Sequence, residues 1–146
     1  MLKSFNNKKN IQDQNIDLVK IVSLLIHAAK IDENYTEKEK KLILKFIPIF
    51  LKENNEKNIL ESELDVFEKA EKYESASNQI LEFTKEAKKI DLKLKKLIIQ
   101  TLWEIVLSDN KSGIYESNLM RRICGLLYIP DQLSGEIKIN ILNRKK

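Results

Sequence analysis

Two carboxylates with six residues between them occur twice in this chain, as Asp32 with Glu39 and as Asp109 with Glu116, and the second pair follows the first by 77 residues. In the same register, Leu25, His27 and Leu42 stand where the later copy has Leu102, Glu104 and Leu119. Each set leaves a long apolar segment, crosses a short loop and enters a second helical segment, the signature of a duplicated helix-loop-helix unit. Carboxylates gathered at loops offer hard oxygen ligands for a divalent cation, calcium or magnesium before zinc. With Glu104 or His27 joining from the preceding turn, the candidate metal set is His27, Asp32, Glu39, Glu104, Asp109 and Glu116. The spacing is not that of an EF-hand. Counting from Asp32, the twelfth position is Ile43 where a bidentate Glu belongs, and the third from Asp109 is Lys111.

The same acids have a second use. Glu39 and Glu116 each fall at the start of a helix, where a carboxylate accepts from free amides and favours the helix dipole, and Thr36 with Glu39 spells a Thr-x-x-Glu capping box. Asp32 and Asp109 are then loop residues folding back on local backbone. Capping stands ahead of metal binding on this evidence, with the repetition narrowing the gap. His27 is the single histidine and lies in an apolar helix, which suits a hydrogen-bonded boundary residue better than a ligand. If it does bind metal, affinity falls as the imidazole protonates.

Other chemistry has few residues to use. One histidine, one cysteine among apolar neighbours and no glycine-rich phosphate loop leave acyl and phosphoryl transfer without machinery, so an enzyme is not expected. Trp103, Tyr35, Tyr115 and Tyr128 read as core and loop-packing residues, since no basic stripe is interleaved with them. Arg121 and Arg122 read as a solvated helix face.

These side chains must be positioned by helices. A hydrophobic content of 42%, three glycines and two prolines favour an all-α protein over any sheet. Residues 16 to 31 and 94 to 108 are apolar on most faces, which places them at the centre of the bundle. The helices that follow carry matched apolar positions: Leu42 with Leu119, Ile43 with Met120, Phe46 with Ile123 and Phe50 with Leu127. Pro48 removes an amide and is expected to kink or end the first of them. The charged stretch from Glu53 to Lys89 has helical periodicity with a break near Ser75 to Ser77, giving two helices, and Pro130-Asp131 opens a last one through about Leu142. About seven helices result.

The formal charge of +4 comes from the ends. Lys3, Lys8, Lys9, Arg144, Lys145 and Lys146 are six of the 26 basic residues, leaving 20 against 22 acids between residues 11 and 143. A basic tail at residues 1–12, a helical domain at 13–143 and a short basic tail at 144–146 are the expected organisation. Nucleic acid is not the expected partner, because such proteins carry their charge as a stripe on the folded body. Cys124 is a core residue of a reduced, cytoplasmic protein, and no apolar segment approaches the ~20 residues that span a bilayer. The opening residues contain no apolar h-region.

Leu102-Trp103-Glu104, Asp109, Tyr115-Glu116, Asn118-Leu119, Arg121-Arg122-Ile123 and Gly125-Leu126-Leu127-Tyr128-Ile129 together resemble the tellurite-resistance TerB family, and Leu24-Leu25, Ala29, Asp32, Thr36 and Glu39 look like that family's other copy. The resemblance spans nearly the whole chain. It implies a single TerB-like bundle of two pseudo-repeated halves, acidic residues proposed to hold metal, and a non-enzymatic role in tellurite or chemical-stress responses. The partners it implies are proteins, membrane-associated ones among them, without insertion of this chain into the membrane. Where the family has Asp-Gly at the loop start, this chain has Asp32-Glu33 and Asp109-Asn110, and His27 stands where the family often has Glu. Two rivals remain: a structural interaction module whose acids are only caps, and a weak nucleic-acid binder working through the basic tails.

Overall fold

The computed structural model describes residues 17–31, 35–53, 63–77, 80–108 and 114–144. Among these residues every regular element is helical: α1 Leu18–Ala29, α2 Glu37–Glu53, α3 Glu63–Ser77, α4 Ile80–Ala87, α5 Leu92–Val106, α6 Ile114–Leu126 and α7 Asp131–Arg144. The all-α bundle of about seven helices read from the sequence is what the described residues form.

α1 and α5 are the axis. Every residue of α1 from Ile21 to Ile26 is buried, and α5 buries Leu94, Ile98, Ile99, Leu102, Trp103 and Ile105. Each large apolar side chain enclosed in this way contributes about 1.5–3 kcal/mol relative to exposure. α1 packs against α2, α3, α4 and α5, while α5 packs against α1, α2, α6 and α7. A helix that is apolar on nearly all faces needs neighbours on nearly all sides, and these two have them.

The duplication survives in the backbone. α1 ends at Ala29 and α5 at Val106, and α2 begins at Glu37 and α6 at Ile114, so both junctions keep the register of 77. The caps are matched atom for atom: Lys30 N–H donates to Ile26 O and Ile31 N–H to Ala28 O, while Leu107 N–H donates to Trp103 O and Ser108 N–H to Ile105 O. Burial follows the same register, with Ile43 beside Met120, Phe46 beside Ile123 and Phe50 beside Leu127 all enclosed.

Of the two outcomes expected at Pro48, a kink or an end, the end does not occur, since α2 runs on to Glu53. Burial of Ile47 and Phe50 around the proline outweighs the single lost amide bond. The break placed at Ser75 to Ser77 falls later, since α3 continues through Ser77 and α4 starts at Ile80.

α6 stops through a Schellman arrangement: Tyr128 N–H donates to Gly125 O and Ile129 N–H to Cys124 O at 2.8 Å. The left-handed position is held by Tyr128, with φ of 59°, and not by glycine. Lys95 Nζ, from α5, donates to Leu127 O at 3.1 Å, adding a cation to the carbonyl end of α6. Tyr128 is 76% exposed, so it is neither a core nor a loop-packing residue as its type suggested.

Candidate functional site

Glu39 heads α2 and is 5% exposed. Its Oε1 accepts from Thr36 N–H at 2.8 Å and from Thr36 Oγ1 at 3.0 Å. Glu39 N–H in turn donates to Thr36 Oγ1 at 3.2 Å, which completes the reciprocal capping box. Glu116 occupies the equivalent place in the first turn of α6 and is 8% exposed. The two carboxylates thus head equivalent helices in equivalent, enclosed settings.

Lys38, beside Glu39, ties the halves together. Its Nζ donates to Ser108 O at 3.0 Å. The residue after Glu37 at the head of α2 therefore stands against the residue that precedes Asp109. Asp32 and Asp109 themselves lie outside the described residues.

His27 turns away from this head towards α3. Its Nδ1 faces Glu74 Oε2 at 3.3 Å, Lys30 Nζ donates to Glu74 Oε1 at 2.8 Å, and Phe83 of α4 closes the imidazole at 5.6 Å between ring centroids. Glu74 is 4% exposed, so a carboxylate is held inside the α1–α3 contact by one cation and one imidazole. An open cleft of about 370 Å³ lies over this group, lined by His27, Lys30, Ile31, Glu74 and Ser75. His27 is thus a hydrogen-bonded boundary residue, whose partner is not among the acids that spacing singled out.

Glu74 was detectable. Phe67, Ala70 and Glu74 share one stripe of α3 at i, i+3 and i+7, and a carboxylate on an otherwise apolar stripe requires a buried partner.

Tyr35 sits between these groups, with Lys40 Nζ at 5.0 Å and Lys30 Nζ at 5.8 Å from its ring centroid. Its hydroxyl is buried and has no hydrogen-bond partner among the described residues. Burial first, and then the carboxylates of Glu71, Glu39, Glu74 and Glu37, push its ionisation well above the ordinary tyrosine range.

Glu104, the register-mate of His27, accepts from Gln100 Nε2 at 3.3 Å and faces a groove between α2, α5 and the end of α7. Among the described residues, no three of the His, Cys, Asp and Glu side chains stand close enough to hold a metal ion. A complete coordination sphere on the sequence-derived set would have to draw on Asp32 or Asp109.

Cys124 is buried, with its thiol pushed up by that burial. Trp103 Nε1–H donates to Ser134 Oγ at 2.9 Å, pinning α7 to α5, and Lys138 Nζ lies 4.9 Å from the indole centroid. Arg121 and Arg122 are exposed, as expected of a solvated face. No helix among the described residues is long and apolar enough to cross a membrane.

A small all-α bundle of two register-matched halves, each with an enclosed carboxylate at the head of its second helix, is the class of protein these observations define. The family model described as Tellurite resistance protein TerB matches residues 18–139, and the chain belongs to that family. A search of the curated proteins and a search of the solved structures each returned no match.

Proposed function

We propose that this TerB-family chain is a non-enzymatic accessory protein of a tellurite or chemical-stress response, which binds a divalent cation, calcium or magnesium before zinc, at its paired acidic segments and acts through protein contacts. The observation that supports this reading is the matched placement of Glu39 and Glu116 on helices whose starts keep the register of 77. The Lys38 to Ser108 bond adds that residues flanking the two acidic segments meet.

The capping box favours a second reading for the first half, in which Glu39 is structural and the protein is an interaction module alone.

Calorimetric titration of chelator-treated protein with calcium, magnesium, manganese and zinc separates the two. Saturable heat that is lost in the Asp109→Ala/Glu116→Ala double variant is the expected result. Silence from all four ions overturns the cation reading and leaves the acids as caps, each contributing about 1 kcal/mol.

A further inference from the structure

We infer that the groove between α2, α5 and the end of α7 docks an acidic amphipathic helix of a partner protein, which deepens the protein-contact part of the reading above and stands apart from its cation part. The groove is built on a regular pattern. Along α2, the residues Lys38, Leu42, Lys45 and Ile49 line it at spacings of four, three and four, and Leu97, Thr101, Glu104 and Ser108 line it from α5 at the same spacings. This is the periodicity with which a third helix seats its own apolar stripe.

Lys38 meets Ser108 at one end, while Ile49 and Leu97 lie at the other, so α2 and α5 run antiparallel along the trough. The eleven residue-to-residue steps of α2 from Lys38 to Ile49 give it a length of about 16 Å, close to three helical turns. Two adjoining hollows of about 220 and 110 Å³, sharing Leu42, Glu104 and Arg144, form its floor. Ile49 is 39% exposed on it, and Leu42 and Leu97 are half-buried.

Charge selects the occupant. Among the described residues, Lys38 and Lys45 stand on the α2 wall and Arg144 on the α7 wall, against the single carboxylate of Glu104. Such a rim attracts acidic flanks and repels basic ones. The chain's own N-terminal residues, with Lys3, Lys8 and Lys9, have the wrong sign. A partner helix with leucines at heptad spacing and Glu or Asp beside them has the right one.

The test is selection of a displayed library of 15-residue amphipathic helices, randomised at the flanking positions, on the full chain in chelator. Winners are then measured by fluorescence polarisation. Enrichment of Glu and Asp at the flanks is expected, with binding weakened at least about tenfold by Lys45→Glu or Arg144→Glu. Both positions are exposed, so the fold is retained. Ile49→Ser should weaken the same peptides, whereas Ile139→Ser, on α7 but outside the groove lining, should not. Winners without an acidic bias, or binding untouched by the Lys45, Arg144 and Ile49 variants, overturn the inference. So does a concentration-dependent dimer in sedimentation that those three variants abolish, since a second copy would then be the occupant. Failure of the cation titration leaves all of these readings in place.

Discussion

Replacing Tyr35 with Phe should stabilise the protein, because the hydroxyl is enclosed with no hydrogen-bond partner among the described residues. A buried polar group left unpaired costs about 1–3 kcal/mol, and the half-buried setting of this residue argues for the low end, near 1 kcal/mol. The ring keeps its place beside Lys30 and Lys40, so little of the cation–π attraction is lost. The pH dependence has a definite sign. Folding holds Tyr35 in its neutral form by burial and by four nearby carboxylates. As pH rises past about 10, the ordinary tyrosine value, the unfolded chain sheds a proton that the folded chain retains. Unfolding then releases a proton, and the native state loses stability with each further rise in pH. The advantage of Tyr35→Phe should therefore be constant below pH ~9 and widen above pH ~10. Urea unfolding followed by Trp103 fluorescence at pH 7, 9 and 10.5 measures it, Trp103 being enclosed at the α5–α7 contact. A Phe variant less stable than the parent by more than ~0.5 kcal/mol at pH 7 would refute the reasoning, since the hydroxyl must then have a partner in solution.

Two further outcomes follow from the packing. Glu74→Gln should cost about 1–3 kcal/mol, because it removes the charge that Lys30 and His27 share inside the α1–α3 contact; an unchanged urea midpoint would show that both partners rehydrate without loss. Tyr128→Gly should raise stability by about 0.5 kcal/mol, the relief of the left-handed strain exceeding the added chain entropy and the lost approach of Lys95 at 5.8 Å, and a lower thermal midpoint would reverse that balance.

Much of the fold was legible because it rests on short-range pattern. α1 and α5 announce themselves by apolar residues on every face, and the register of 77 reappears in helix ends, caps and burial. The Thr36–Glu39 capping box was readable for the same reason, as its partners lie three residues apart. Glu74 could be singled out by its apolar stripe, but its pairing with His27 could not, because the two are 47 residues apart and the contact depends on how α3 crosses α1. Tyr128 escaped because glycine is the expected residue at a left-handed cap, and nothing in its neighbours signals the exception. At Pro48 propensity left a kink or an end open, and α2 runs on through it with Ile47 and Phe50 buried.

The register-mates His27 and Glu104 show what duplication has left free to diverge. Both stand two residues before the last residue of a central helix, yet one is covered by α3 and α4 and the other opens on the groove beside α7. The helix heads stayed alike while the flanks took on different neighbours, so one half encloses a charge and the other presents an open trough. Lys38 belongs to both settings, because it lines the trough and bonds Ser108 at the edge of the second acidic segment. Changing Lys38 would disturb cation and partner binding together and could separate nothing. Lys45 and Arg144 line the trough, and Glu116 stands at the head of α6 outside that lining, so those three positions allow each activity to fail without the other.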